Sequence, residues 1–185
     1  MDQPFVKPTT TPPATGQTPP PSVNADQAQL DAQFAGLLPH YRTTQLIFNG
    51  RRGRQILQHR IDLTQPLSIH DIKAFNVMNL KGAFAVITAL NPRGQTQSDE
   101  ANNAANAELE KHLGVNELWS EVAVDGMSAD LAHREAGHAI LAPRKQAKRL
   151  AAKFGQLAMY FFDEQGFWLV PVLATGEPEL LNARF

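Results

Sequence analysis

Gly82-Ala-Phe-Ala-Val-Ile-Thr-Ala-Leu90, closed by Asn91-Pro92, is the stretch whose reading decides the fold. It shows no polar/apolar alternation, is rich in strand formers and stops at a turn-forming dipeptide. A strand buried on both faces reads this way, so the centre of a sheet is placed here. Upstream, Ile69, Ile72 and Phe75 recur at spacing three and predict a short helix over 68–78, broken by Asn79–Gly82. Before it, loose alternation from Tyr41 to Phe48 and an extended pattern over Ile56–Ile61, with turn chemistry at Asn49-Gly50 and Gly53 between them, predict a hairpin with an arginine-rich tip. Further back, Leu30, Phe34, Leu37 and Leu38 form one helical stripe that Asn24 caps, with Gln27 placed for a reciprocal bond and Pro39 as the stop.

Downstream of the central strand, a loop Asn91–Gln97 leads into a helix over 98–113, capped by Ser98 or Thr96, with Ala101, Ala105 and Leu109 facing inward and Gly114 as its end. Leu118–Val124 and Glu135–Ala142 read as strands separated by a loop containing Asp125-Gly126. Pro143 opens a helix to Phe154, where Ala147, Leu150, Ala151 and Phe154 share a face and Gly155 ends it. Leu157–Phe162 and Phe167–Val172 form a second hairpin around Glu164-Gln165-Gly166, and residues 174–185, patterned only at Leu180 and Leu181, form a tail that trails or docks. The order α-ββ-α-β-α-ββ-α-ββ predicts a single α/β domain over 25–173, a mixed β-sheet sandwiched by helices.

Composition agrees with one domain: 185 residues, 43% hydrophobic, 19% charged, net charge −1 and a pI of about 6.6. Seven of the thirteen prolines fall in the first 24 residues, among Thr, Ser, Gln and Gly with only Asp2 and Lys7 charged. That segment has too little apolar surface to offset its ordering entropy, so residues 1–24 read as a disordered arm. There is no cysteine, which excludes disulfide frameworks, thiolate zinc sites, iron–sulfur clusters and cysteine nucleophiles. The arm lacks the basic start and apolar run of a secretory signal. The longest apolar run, Ala83–Leu90, falls far short of the roughly 20 residues of a membrane span, and a cytoplasmic location is expected.

Phe84-Ala-Val-Ile-Thr-Ala-Leu-Asn-Pro92 is followed by Ser98-x-x-x-Asn102, with Leu109 seven residues on, then by Gly126, by Glu135 in a strand, and by Ala147-x-x-Leu150-Ala151-x-x-Phe154-Gly155-Gln156. Taken in order, over roughly residues 41–173, this series resembles the bacterial family called domain of unknown function 3293. It departs from that family's pattern at Leu90, where an aromatic residue is usual, and at Ala136-Gly137. The resemblance implies a cytoplasmic bacterial module and carries no activity with it.

The polar residues of these motifs fall at strand ends or in a first helical turn, where α/β sheets present groups to ligands. Asn91 either orients a ligand through its carboxamide or ends the strand as an Asx-turn. Ser98 either holds a ligand hydroxyl or caps a helix. Asn102 contacts a ligand or is a solvated helix residue. Glu135 is the candidate acid or base, its charged form disfavoured by apolar neighbours, with an ion pair to Arg134 or another cation as the structural alternative. Gln156 donates to a ligand or to orphan helix carbonyls.

Other chemistries fail on spacing. His133 and His138 are five apart where a zincin helix needs four, and on a strand they point to opposite faces; with no thiol for a deaminase site either, no metal and no cofactor is predicted. Asn91-Pro-Arg-Gly94 before a helix hints at phosphate, but Asp99 and Glu100 fill the first turn and Arg93 is the lone countervailing charge. No dinucleotide, Walker or Gly-x-Ser-x-Gly motif occurs. Arg51, Arg52 and Arg54 at the hairpin tip, and Arg144, Lys145, Lys148, Arg149 and Lys153 along one helix, lack interleaved aromatics and read as solvated faces, which disfavours nucleic acid. Phe161, Phe162, Phe167 and Trp168 read as core. Two functions follow. One is a pocket for a small polar ligand built from Asn91, Ser98, Asn102, Glu135 and Gln156, with any catalysis resting on Glu135. The other is a noncatalytic interaction module in which the arm and the basic surfaces recruit a protein or nucleic acid.

Overall fold

The computed structural model describes residues 23–115 and 119–184. Its elements are α1 (Val23–Thr43), β1 (Gln45–Arg52), β2 (Gln55–Asp62), α2 (Ile69–Val77), β3 (Phe84–Thr88), a 3-10 turn (Pro92–Gly94), α3 (Asp99–Val115), β4 (Trp119–Met127), β5 (Arg134–Ile140), α4 (Arg144–Lys153), β6 (Ala158–Phe162), β7 (Gly166–Pro171) and β8 (Glu179–Ala183). The expected order of helices and strands holds, with β8 added. Residues 1–22 of the expected arm lie outside the described residues, and Val23 and Asn24 already belong to α1.

The eight strands form one sheet in the order β2-β1-β4-β5-β3-β6-β7-β8. β3 sits inside it, between β5 and β6, as its unbroken apolar run predicts. Every pair of these strands is antiparallel, so the sheet is not mixed in strand direction. The hairpins reverse the chain between neighbours, whereas the α3 and α4 connections rejoin the sheet in the same sense but one strand further over, β4 beyond β5 and β6 beyond β3, so neighbouring strands stay antiparallel. The sheet also curls until its ends approach: Leu67, just past β2, bridges Arg184, just past β8, and Asn182 Nδ2 donates to the Gln65 carbonyl at 3.2 Å. The C-terminal tail therefore docks, as the strand β8.

The curl makes two cores. On the concave side, Phe75 of α2 is buried among Phe48, Phe84, Phe162 and Phe167, with ring centroids 5.1, 5.2, 5.1 and 6.0 Å away. Phe34, Leu38 and Tyr41 of α1 pack against the same cluster. On the convex side, Ala85 and Ile87 of β3 meet Leu109 and Leu113 of α3 and Ala147, Leu150 and Ala151 of α4. Successive residues of a strand face opposite ways, so β3 contributes to both cores, and the helices sandwich the sheet as expected.

Five local readings are corrected. α1 runs through Pro39 to Thr43. Pro39 and Ala35, whose carbonyl loses its donor, are both exposed to water, and the hydroxyls of Thr43 and Thr44 donate to the carbonyls of Pro39 and His40. Asn24 lies inside α1 instead of capping it, and Gln27 donates to Asp31 and to the Leu173 carbonyl. Asn49-Gly50 belongs to β1, and the hairpin turns at Gly53-Arg54. Asp125-Gly126 belongs to β4, which is paired to both β1 and β5 there, so tertiary pairing overrides the local turn preference. α3 continues past Gly114 to Val115, and Ala101 on it is exposed. The expected cap at Ser98 is present, its Oγ accepting from the Ala101 N–H at 3.2 Å, and Ser68, not singled out from the sequence, forms a capping box with Asp71.

Candidate functional site

The chain leaving β3 organises the site. Thr88 Oγ1 donates to the Ala136 carbonyl of β5 and accepts the Leu90 N–H. Asn91 then takes up left-handed backbone angles, φ 49° and ψ 53°, a conformation that Asn tolerates better than most residues. Its side chain is used at both ends: Nδ2 donates to Glu135 Oε1 at 2.7 Å, while Oδ1 accepts from Gln97 N and from Asn102 Nδ2, each at 3.1 Å. Asn102 Oδ1 in turn accepts the Asn91 N–H at 2.9 Å. The two carboxamides thus clasp each other, and the free end of Asn91 fixes one oxygen of Glu135. The loop is anchored elsewhere by Arg93, whose N–H donates to the Gly155 carbonyl at 2.7 Å and whose guanidinium pairs with Asp26 at 3.0 Å. That pairing removes Arg93 as a phosphate ligand.

Of the basic neighbours expected as partners of Glu135, Arg134 is engaged elsewhere and His133 is the one in contact. Arg134 reaches across to Asp125 at 2.9 Å, and the contact of Glu135 is His133 Nε2 at 3.4 Å. The Glu135 side chain is one-third exposed and opens into a cavity of about 660 Å³ between the C-terminal half of α1 and the concave face of the sheet. Thr88, Val86, Val124, Ala158 and Tyr160 are among its floor residues, Tyr41 and Thr44 come from the α1 side, and the β4–β5 turn, Ser128 to His133, forms a rim. Burial, with the charge of Glu135 adding to it, pushes the Tyr41 phenol well above the ordinary tyrosine range. Burial does the same to Tyr160, whose hydroxyl donates to the Tyr41 carbonyl at 3.0 Å. Both phenols stay protonated. On the rim, the Ser128 hydroxyl and the Ala132 N–H hold the Asp130 carboxyl below its usual range.

Of the five residues singled out from the sequence, Glu135 and Gln156 line this cavity. Asn91 and Asn102 stand behind Glu135, and Ser98 caps the helix that carries Asn102. Gln156 is buried, and its amide nitrogen is committed to the carbonyls of Leu90 at 3.0 Å and Phe154 at 3.4 Å, the latter the end of α4. Sequence reasoning missed Tyr41, Tyr160, Gly126 and the rim. The available signals were Thr88 as the single polar residue of β3 and Tyr160 as the polar handle in an otherwise apolar strand.

His133 and His138 fall on opposite sides of the sheet, as their odd spacing requires: His138 is buried against α3 beside Glu110 at 3.4 Å, and burial lowers its pKa. The α4 cations are partly engaged. Arg144 pairs with Asp163 at 2.9 Å and lies over Phe161 and Trp168, and Lys153 Nζ lies 3.0 Å from His112. Arg51, Arg52 and Arg54 are exposed.

Residues 87–159 match the model of a family described as Protein of unknown function (DUF3293). Over that segment the chain is similar to that family. The DUF3293 segment is narrower than the resemblance read from the sequence. It runs from the middle of β3 to the start of β6 and contains Asn91, Ser98, Asn102, Glu135 and Gln156. No curated protein and no solved structure shows significant similarity to the chain. No helix among the described residues is long and apolar enough to cross a membrane.

Proposed function

We propose that this protein binds a small molecule in the cavity on the concave face of its sheet, with the apolar body of the ligand over Val86, Val124 and Ala158 and its polar head against Glu135. The observation that supports this most strongly is the coupling of a 660 Å³ cavity to a carboxylate whose orientation is fixed by the Asn91–Asn102 clasp. Ligand sites are commonly hollows of about 300–1,000 Å³, largely apolar, with few placed polar groups. A carboxylate that only closed a turn would need no second asparagine behind the first. With the phenols of Tyr41 and Tyr160 held protonated, Glu135, with the His133 imidazole 3.4 Å away, is the group we assign to any proton transfer with a bound ligand.

Gly126 supplies the test. A Cβ there would lie 3.8 Å from the Glu135 carbonyl oxygen and 3.8 Å from Thr44 Cγ2, ordinary contact, so Gly126→Val fits the backbone and its methyl groups enter the cavity. N-phenyl-1-naphthylamine, an apolar dye that brightens when taken out of water, should bind the native protein saturably and fail to bind Gly126→Val of unchanged circular dichroism. Equal brightening with both proteins, or none with either, contradicts the proposal. Native mass spectrometry of freshly purified protein would reveal a retained natural ligand.

A second reading, docking of an anionic partner, draws on the exposed Arg51, Arg52 and Arg54, which make no ion pair among the described residues; Arg51 and Arg52 stand, with Asn76 and Asn79, around a shallow depression. Salt-sensitive capture of an oligonucleotide that Arg51→Glu abolishes would support it.

A further inference from the structure

The charge inventory of the cavity identifies the kind of head group. Glu135 and Asp130 both line it, and among the described residues no lysine or arginine does. The remaining polar lining consists of the imidazoles of His40 and His133, hydroxyls, phenols and amides. The phenols add no positive charge, and Gln156 has its amide nitrogen occupied by backbone carbonyls. Arginines that lie near in sequence are turned to other partners: Arg134 to Asp125, Arg93 to Asp26 and Arg42 to Glu179. Glu135 therefore faces the hollow with one oxygen held by the uncharged Asn91 amide and only the exposed imidazole of His133 beside it.

An acceptor of this kind, in a largely apolar enclosure, discriminates by charge. A cationic donor gains a hydrogen bond to the carboxylate together with the attraction of opposite charges, a neutral hydroxyl gains the hydrogen bond alone, and an anion meets two carboxylates with no lysine or arginine beside them. We infer that the natural ligand is an amine or related organic cation with an apolar body, its charged nitrogen bound by Glu135 and drawn in by Asp130 at the rim. This rests on the cavity being the binding site, as proposed above, and deepens that reading by naming the ligand class. The Asn91–Asn102 clasp then has a positioning role, holding the Glu135 carboxylate toward the incoming nitrogen.

Three probes of one shape test this: 1-naphthylmethylamine, 1-naphthylmethanol and 1-naphthoic acid, titrated calorimetrically into the full-length protein at about pH 8, where the amine is still largely protonated and free imidazole is neutral. The amine should bind about tenfold or more tighter than the alcohol, and the acid should bind weakest. Glu135→Gln keeps the oxygen that Asn91 donates to, so it should fold normally and bring the amine to the level of the alcohol, whose own affinity falls much less. The inference is overturned if the acid or the alcohol binds native protein as tightly as the amine, or if the amine preference survives in Glu135→Gln. Alcohol binding that Gly126→Val removes would uphold the cavity as the site even as the charge inference fell. Absence of binding by all three would remove both.

Discussion

Replacing Asn91 separates the two tasks this residue performs. Asn91→Gly deletes three side-chain hydrogen bonds, to Glu135 at 2.7 Å and from Gln97 N and Asn102 Nδ2 at 3.1 Å, but suits the backbone φ of 49°. At about 1 kcal/mol net per bond, with the exposed Gln97 bond contributing least, the loss comes to about 2 kcal/mol. The extra freedom of glycine in the unfolded chain adds roughly 0.5–1 kcal/mol. Asn91→Ala loses the same bonds and must also hold a left-handed conformation, at about 1–2 kcal/mol. Alanine should therefore be the worse of the two by up to about 1.5 kcal/mol, although it is by far the better residue in a helix. For a domain of this size each kcal/mol lowers the melting temperature by about 2–4 °C, so both variants should melt several degrees early, with alanine lowest. Urea unfolding followed by tryptophan fluorescence measures both differences. Glycine and alanine variants each within about 0.5 kcal/mol of native protein would show that the clasp holds nothing. A glycine variant less stable than the alanine one would show that the left-handed backbone is not the constraint.

Three further outcomes check the frame around the site. Phe75→Ala should cost about 3–5 kcal/mol, because it empties the concave core at the point where four other phenylalanine rings converge; a loss under about 1 kcal/mol in urea unfolding would mean that α2 is not the plug of the curl. Gly137→Ala would place a Cβ 2.6 Å from the Ile87 carbonyl oxygen, so β3 or β5 must shift at the centre of the sheet, with an expected cost of about 1–3 kcal/mol; an unchanged melting temperature contradicts that packing. Burial pushes the Asp71 carboxyl up, but the Ser68 N–H and hydroxyl and the His59 ring outweigh it and hold the group below the ordinary value of 3.8. A carboxyl with a depressed folded-state pKa stabilises fully above its unfolded value and loses that contribution as pH falls through the folded one. The melting-temperature advantage of native protein over Asp71→Asn should accordingly shrink as pH falls from about 5 to below 3.8, and an advantage that grows there would contradict the assignment.

Much of the architecture was legible because its signals are local. The apolar run of β3, the Ser98 cap and Gly155 after α4 each state their element within a few residues. The failures share one cause, tertiary pairing overruling a local preference. Asp125-Gly126 looks like a turn, yet β1 and β5 flank it, Arg134 neutralises Asp125 and Asn49 Nδ2 donates to it. β8 carries only Leu180 and Leu181 as pattern, and it is a strand because β7 offers it an edge and Asn182 Oδ1 accepts the Phe167 N–H. In the site, the asparagine–glutamate set could be assembled from motif residues. The cavity could not, since its walls come from α1, β1, β3, β4, β5 and β6 and no short stretch of sequence encodes an empty volume. The same distinction explains why Ser98, Asn91 and Asn102 were grouped with Glu135 as ligand contacts, when the structure sets them behind it.

The most direct measurement is a crystal structure of the protein with 1-naphthylmethylamine bound. The account predicts the naphthalene rings between α1 and the concave sheet face, and the amine nitrogen within hydrogen-bond distance of the Glu135 carboxylate, with Asn91 still holding that carboxylate. A probe seated elsewhere, or seated here with its nitrogen turned away from Glu135, would contradict it.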